Sequence, residues 1–371
     1  MTKLRNVAVV AYAQAPFVAC DEHHTATEML YPQIKRALEA CGVDRDGIDY
    51  QVGGSADYVD GRVFGFVAAV DVMGSWPPKA DLHLEMDASF AAYYAWLRIQ
   101  AGDCDTAMIV GYGKPGEGET DRILNLQLDP YYQGAIGLDS ISTAALQARA
   151  FMHRTGASDR DLAQAAAEVR AHGAKNPDAQ LNKSASAEDL LGTPWAVEPL
   201  REGYIAPKGE TAACLILAAE GKAEKMCKSP AWIHGVDQRA ELQSLGSRDL
   251  SRSASATLAS RKAFEMAGIA SAAEVDLLEL SSSTVAEQML LREAVGLGAG
   301  GGPVVNPSGG PLAGNAIMIT GLARLGEVFR QLSGTAANQV KGARRALAHA
   351  TQGHCLQQNL MWILGGERRW S

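Results

Sequence analysis

Short apolar runs alternate with longer segments of helical periodicity along this chain. Residues 6–13 predict a first strand, residues 25–41 an amphipathic helix that ends at Gly42, and residues 48–54 a second strand. Residues 88–100 are almost wholly apolar or aromatic, which predicts a helix buried on all sides. This alternation is typical of α/β architecture.

A long connection follows the strand predicted over residues 106–110 and extends from about residue 114 to 206. Within it, Asp139 predicts the start of a helix that runs to about residue 153, and a second helix begins at Ser158 and ends at Gly173. Connections of this length usually form lids or binding loops.

The second half of the chain repeats the first in outline. Each half offers a strand, a small-residue loop, a buried helix and a further strand. The predicted elements of the second half are strands over 232–237, 275–280, 345–350 and 358–364, helices over 253–267 and 314–332, and small-residue loops at 298–302 and 306–310.

The composition suits a protein with a large core. The chain has 371 residues, 47% of them apolar, enough for two or three domains or one double domain of repeated units. A net charge of −8 argues against a nucleic-acid partner, which requires a clustered basic face. The sequence contains no run of about 18 apolar residues, so it predicts no membrane span. Residues 1–6 lead into the first strand without a signal-peptide pattern, so we expect a cytoplasmic protein.

The six cysteines are scattered without a C-x-x-C pair. This spacing argues against a disulfide framework and against a zinc site in the chain. We therefore predict no metal ligands here, and any zinc would belong to a partner.

One set of motifs resembles a known family. Residues 306–310 read Asn-Pro-Ser-Gly-Gly and are followed by Gly314 and by Thr-Gly-Leu-Ala at 320–323. This order resembles the N-x-S-G-G … G-H-P-x-G-x-[ST]-G signature of thiolases, most closely of the sterol carrier protein X and lipid-transfer branch. The segments 85–89, 276–280 and 348–355 agree with that branch and continue the resemblance through the whole chain.

The resemblance implies an α/β protein with the five-layered αβαβα thiolase fold, built from two similar halves. The N-terminal half would take residues 1–113 and part of 114–228, with a lid insertion at about 114–210, and the C-terminal half residues 229–371. It also implies a homodimer and an acyl-CoA substrate, with coenzyme A as part of that substrate and no permanently bound cofactor. Several members of the branch work with a small zinc-ribbon and OB-fold accessory subunit, which would give a heterotetramer.

The family's catalytic positions are changed in this sequence. Asp87 stands where the resemblance places the nucleophilic cysteine; counting back without gaps from the helix end places Glu85 there instead. Asn315 replaces the histidine of the G-H-P segment, and Ser281 begins the segment that replaces N-E-A-F or H-D-x-F. Only the last catalytic loop keeps reactive groups, and these are His354 and Cys355.

Each of these residues also has a structural interpretation. Asp87 is a typical N-cap residue, Ser281 could end a strand and cap the next helix, and His354 and Cys355 could pack beside the last strand. Asn315 is either a cap or a donor to a thioester carbonyl in an oxyanion hole.

Three functions remain open. Retro-aldol cleavage of a β-hydroxyacyl-CoA, as in steroid side-chain catabolism, is the first hypothesis, because it needs a base and an oxyanion hole but no cysteine. The candidate bases are His354 and Asp87. In the family's aldolases the resemblance leads us to expect tyrosines of the C-terminal half as acid and base, yet every tyrosine here lies at or before Tyr204. The second hypothesis is thiolysis or Claisen condensation through Cys355. The third is a non-catalytic subunit of a heteromeric complex.

The sequence also offers candidate contacts for coenzyme A. The glycine-rich loops place Gly309, Gly310 and Gly353 near the inferred tunnel, where their backbone N–H groups are candidate donors. Lys183 and Arg252 are the candidate surface contacts for the phosphates.

Overall fold

The computed structural model describes residues 4–61, 63–298 and 301–369; Ala299 and Gly300 of the predicted glycine-rich turn lie outside them. Strands and helices alternate as the sequence predicts. The N-terminal elements are β1 (Val7–Gln14), α1 (Ala26–Cys41), β2 (Tyr50–Gly54), α2 (Phe66–Met73), β3 (Ala80–Leu84), α3 (Ala88–Ala101), β4 (Thr106–Gly113), α4 (Thr120–Leu126), α5 (Ser140–Thr155), α6 (Asp159–Gly173), α7 (Ala187–Leu191), β5 (Trp195–Val197), β6 (Leu200–Arg201), β7 (Thr211–Ala219) and α8 (Ala223–Met226). The C-terminal elements are β8 (Ala231–Ala240), α9 (Ala254–Ala267), β9 (Leu277–Glu279), α10 (Val285–Ala294), β10 (Val304–Val305), α11 (Gly310–Ala313), α12 (Thr320–Ser333), β11 (Arg345–Gln352) and β12 (Gln358–Gly365).

Two sets of five strands have the same internal order. The first runs β1-β7-β4-β2-β3 and the second β8-β12-β11-β9-β10, so each follows the order 1-5-4-2-3 of its own strands. In both sets the first two pairings are antiparallel and the last two are parallel. The sets meet edge to edge, where Ala8 and Val9 of β1 pair with Trp232 and Ala231 of β8. We propose that the boundary between the halves lies in the short connection between β7 and β8, near residue 229.

Three apolar clusters separate the layers. The central one packs α3 and α12 between the two sets of strands, with Trp96 and Leu322 among its members. One outer cluster packs α1 on the first set, and the other packs α9 and α10 on the second. This confirms the predicted five-layered α/β architecture, helix–sheet–helix–sheet–helix. No helix in the described ranges combines the length and apolar character needed to cross a membrane.

The helix predicted over 314–332 begins later, at Thr320. Ile317 has φ of 55°, in the left-handed region, and the Asn315 side-chain oxygen accepts a hydrogen bond from its N–H. These features turn the chain between the short α11 and the long α12. The prediction of one continuous helix was wrong because the small residues at 314–316 form this turn.

Helix α3 is less uniformly buried than predicted. Phe90 and Trp96 are buried, but Leu97 is 41% exposed. The sequence analysis did not predict strand β7, although all its residues are buried and it lies between β1 and β4.

Asp87 joins the two central helices. Its side chain is 1% exposed and caps α3 by accepting the Ser89 N–H at 2.7 Å. The other carboxylate oxygen accepts the Gly321 N–H at 2.7 Å, in the first turn of α12. One carboxylate thus lies at the N-termini of both helices, where their dipoles favour negative charge. Burial nevertheless raises the pKa of Asp87 from 3.8 to about 7.

A buried ion pair fixes α12 against β9. Arg324 donates to Glu279 at 2.6 Å, and Glu279 has no exposed surface. The same carboxylate accepts the N–H and the hydroxyl of Ser308 at 2.9 and 2.8 Å. The pair therefore also shapes the 306–310 loop.

Asp87→Ala is expected to lower the free energy of unfolding by about 2 kcal/mol or more, because two helix termini lose their acceptor. Asp139→Ala removes the cap of a single helix, α5, and is the matched control with a cost of about 1 kcal/mol. Urea denaturation measures both; equal losses would contradict the double role of Asp87.

The pH dependence of the free energy of unfolding gives a second test of Asp87. Because its pKa is higher in the folded protein, the carboxyl's contribution to stability is full below about pH 4 and declines as the pH rises through 7. Asp87→Asn removes this titration, so its stability relative to the original protein should improve between pH 5 and 8. A difference that stays constant over that range would contradict the raised pKa.

Arg324→Met should destabilise the protein by about 3–5 kcal/mol, because it leaves the buried Glu279 carboxylate unpaired. Arg122→Met, which breaks a pair with Glu119 whose side chains are both mostly exposed, should cost no more than about 1 kcal/mol. Similar unfolding midpoints for the two variants would show that the buried pair is not a structural requirement.

Candidate active site

A cavity of about 210 Å³ lies where β9 and β11 end. The two strands are parallel neighbours, so the segments that follow them meet at one edge of the sheet. Residues 281–284 follow β9, and Thr351 to Gly353 lie at the end of β11. The turn that contains Asn315 completes this wall.

The long connection of the N-terminal half forms the cover of the cavity. Its lining includes Leu124 of α4, Ile141 of α5, and Ile205, Ala206 and Lys208. Two backbone hydrogen bonds join this cover to the cavity wall: Ala206 N–H donates to Ser283 O and Gly209 N–H to Asn315 O, each at 2.8 Å.

Asn315 has its side-chain oxygen occupied and its nitrogen available. The oxygen accepts the Thr320 hydroxyl at 2.6 Å and the Ile317 N–H at 3.1 Å. Within the described ranges the amide nitrogen has no hydrogen-bond partner. Its N–H groups can therefore donate to a ligand oxygen in the cavity.

His349 supports the backbone of the serine segment, residues 281–283, through a hydrogen bond. Ser281 N–H donates to His349 Nδ1 at 3.2 Å, and His349 Nε2 lies 2.9 Å from the Asn359 side-chain oxygen. Burial lowers the pKa of His349 to about 4, so the imidazole is neutral. Ser282 also lines the cavity, and its buried hydroxyl lacks a partner among the described residues.

One ring nitrogen of His354 forms a hydrogen bond, whereas Nδ1 has no donor, because the Thr143 hydroxyl beside it donates to Ser140 O at 2.9 Å. Nε2 lies 3.0 Å from Leu124 O, so this nitrogen carries the proton and donates to the carbonyl. Nδ1 lies 3.4 Å from the Thr143 hydroxyl. Burial lowers the pKa of His354, which keeps the ring neutral while it joins the last loop to α4 and α5.

Cys355 is a buried thiol. It has φ of 55°, and its Sγ donates to Thr143 O at 3.3 Å. Burial, followed by the charge of Glu287, raises the pKa of Cys355 to about 12. The thiolate is the reactive form of cysteine, so at neutral pH this side chain is not an activated nucleophile.

The corner where the family pattern has its cysteine lies outside the cavity lining. Asp87 serves the helix caps described above. Glu85 is 46% exposed at its side chain; it accepts Asp57 N–H at 2.9 Å and lies 3.4 Å from His83 Nε2. Asp57, His83 and Glu85 bring possible metal-ligand atoms within 4.8 Å of one another. Asp57 also accepts the Phe64 and Gly65 N–H groups, so this cluster shapes the loop after β2.

The other predicted residues divide between the cavity and the rest of the molecule. Gly353 lines the cavity, whereas the Gly309 and Gly310 N–H groups donate inside their own loop, to Asn306 O and the Ser308 hydroxyl. Lys183 and Arg252 are exposed and do not line the cavity, and Arg252 pairs with Glu293 at 3.1 Å. The structure thus brings together Ser281, Asn315, Gly353, His354 and Cys355 and leaves Asp87, Gly309, Gly310, Lys183 and Arg252 elsewhere.

Three charged residues of the wall were missed by the sequence analysis. Lys208 and Asp121 both line the cavity and pair with each other at 2.6 Å. Glu287 lines it from the first turn of α10. The only local signal for Glu287 was its spacing from Thr284, which is that of a capping box and predicts a structural role.

Comparisons with known proteins agree with this architecture. The family described as "Thiolase C-terminal domain-like" matches residues 297–366. An acetyl-CoA acetyltransferase of Methanocaldococcus jannaschii is 25% identical over 355 residues, covering 89% of this chain and 90% of that protein. Sterol carrier protein 2 of Gallus gallus is 25% identical over 296 residues, covering 70% of this chain and 54% of that protein.

Among solved structures, the Ltp2-ChsH2(DUF35) aldolase superposes with a TM-score of 0.83. It is 18% identical, and the match covers 97% of this chain and 98% of that one, so the likeness concerns the fold. Together with the motifs and the doubled strand order, these relatives support the thiolase superfamily, and within it the branch that includes sterol carrier protein 2, as the group to which this chain is similar.

Proposed function

We propose that this thiolase-like enzyme, which acts on a CoA thioester, cleaves the carbon–carbon bond of a β-hydroxyacyl-CoA by a retro-aldol reaction. One observation carries the proposal: the cavity combines an available oxyanion donor, Asn315, with a cysteine that is held protonated. Acyl transfer needs a thiolate, and retro-aldol cleavage does not. The Ltp2-ChsH2(DUF35) aldolase shares this fold.

The chemistry places specific demands on the cavity. When the bond between the α- and β-carbons breaks, negative charge develops on the thioester oxygen as an enolate. Asn315 can donate to that oxygen, and its orientation is set beforehand by Thr320 and Ile317. A donor fixed before the reaction stabilises the transition state without reorganisation.

Thiolysis or Claisen condensation is the second candidate. The relative from Methanocaldococcus jannaschii, which matches 89% of this chain, is named an acetyl-CoA acetyltransferase. Against this candidate stands Cys355, the one thiol in the cavity wall among the described residues, with its pKa near 12.

We further propose that the chain forms a homodimer and binds an accessory subunit of the DUF35 type. The structurally similar Ltp2-ChsH2(DUF35) aldolase includes DUF35 in its name. The outer edge of β3 has no partner strand in the described part of the chain. Large apolar side chains are exposed near it in sequence, including Trp76 at 83% and Phe64 at 66%. An unpaired strand edge with apolar neighbours favours pairing with another chain.

Product analysis tests the reaction type. A β-hydroxyacyl-CoA incubated without added coenzyme A should give a free ketone or aldehyde and a shortened acyl-CoA, both identified by mass spectrometry. The assay is run with the chain alone and with a DUF35-type subunit. Turnover of β-ketoacyl-CoA that requires added coenzyme A would instead establish thiolysis.

Cys355→Ala should keep the cleavage activity within a few-fold, because the mechanism forms no acyl-cysteine. Cys20→Ala, at an exposed cysteine, is the matched control. An acyl group trapped on Cys355, or loss of activity in Cys355→Ala alone, would favour the second candidate.

Asn315→Asp should lower kcat by about 100-fold or more, a typical loss for one oxyanion donor. The carboxylate can still accept from Thr320 and Ile317, so the turn should remain folded. Thermal unfolding checks this, and a folded Asn315→Asp variant with normal kcat would remove Asn315 from the mechanism.

A further inference from the structure

Glu287 occupies an unusual position for a helix-capping residue. It is the third residue of α10 and forms a capping box with Thr284, whose hydroxyl accepts the Glu287 N–H at 3.2 Å. Its own Oε2 accepts three hydrogen bonds: from Ser283 N–H and hydroxyl, both at 2.7 Å, and from Thr284 N–H at 3.2 Å. One carboxylate oxygen is therefore firmly held.

The other oxygen, Oε1, is unused. Across residues 4–61, 63–298 and 301–369, it has no hydrogen-bond partner. The residue is 4% exposed to bulk solvent yet lines the 210 Å³ cavity. A capping box alone does not require its glutamate to line a cavity. The same motif at Thr25 and Glu28 lies on the exposed surface.

The other candidate acids and bases are less suited to this role. Burial lowers the pKa of His354, which makes it a weaker base, and the Asp87 oxygens accept helix N–H groups outside the cavity lining. Lys208 and Asp121 of the cavity wall pair with each other. Of the described tyrosines, none lines the cavity. Burial raises the pKa of Glu287, so its carboxyl gains and loses a proton more readily near neutral pH than an exposed glutamate does.

We propose that Glu287 Oε1 is the catalytic acid–base group of the cavity and carries the transferred proton within each turnover. This inference rests on the proposed retro-aldol function. Oε1 takes the proton of the β-hydroxyl group, the hydroxyl oxygen forms a carbonyl, and the bond between the α- and β-carbons breaks. Its electron pair forms the thioester enolate beside Asn315. The protonated carboxyl then returns the proton to the α-carbon, which releases the shortened acyl-CoA and regenerates the carboxylate.

The sequence of proton transfers needs no co-reactant. One proton leaves the hydroxyl and one arrives at the α-carbon, so the products are a ketone or aldehyde and an acyl-CoA. By microscopic reversibility, Glu287 also removes an α-proton from the product acyl-CoA. This partial reaction can be followed alone, as deuterium uptake into propionyl-CoA in D₂O.

The test compares Glu287→Gln with Glu28→Gln. Glutamine retains an oxygen for the three capping donors but cannot exchange the proton. Glu287→Gln should lower both cleavage and α-proton exchange by at least about 100-fold, within the usual range for a general acid–base group. Glu28→Gln changes the same motif at the surface and should leave both rates as they are.

The outcomes separate this inference from the proposed function. If the original protein is active and folded Glu287→Gln retains either reaction, the role of Glu287 is overturned while retro-aldol cleavage stands. If the original protein neither cleaves nor exchanges, both proposals fail.

A second measurement does not depend on the variant folding. A crystal structure of the original protein with propionyl-CoA should place Oε1 within about 3.5 Å of the α-carbon, a reactive separation. An α-carbon beyond reach of Oε1 would overturn the assignment.

Discussion

The central layer of this protein depends on one buried carboxylate. Asp87 accepts N–H groups at the start of both α3 and α12, although the two contacts are separated by more than half of the chain. Because these helices occupy equivalent places in the two halves, the carboxylate lies where the halves meet. Gly321 permits this approach, since a Cβ there would lie 2.6 Å from an Asp87 oxygen.

This use of Asp87 changes where chemistry can occur. The resemblance to thiolases places a nucleophile at the start of α3. Here the carboxylate at that position caps the N-termini of two helices. The residues that face the cavity come instead from the ends of β9 and β11, from the turn before α12 and from the cover formed by the long connection. The proposed acid–base and oxyanion chemistry belongs to that site, where burial keeps the Cys355 thiol protonated.

Buried charge also fixes the shape of the C-terminal half. The Arg324–Glu279 pair holds the Ser308 loop, and Glu327 lies near enough that the Glu279 charge adds to burial in raising its pKa. A network of this kind is costly to disrupt because each charge is desolvated. It accounts for the conformation of the 306–310 loop, which does not line the cavity.

The sequence by itself determined the element types, the doubled α/β order and most helix starts, as at Asp139 and Ser158, because periodicity and capping are local properties. It also predicted, from the resemblance, that Asp87 or Glu85 and Asn315 stand at the family's catalytic positions. Only the tertiary structure decided that Asp87 caps a second helix, that α12 begins at Thr320, and that Glu287 lines a cavity with one oxygen that has no partner among the described residues. Each of these depends on contacts between distant segments or on which face of a residue is enclosed. Neither the distant contacts nor the enclosed face can be inferred from the spacing of residues along the sequence.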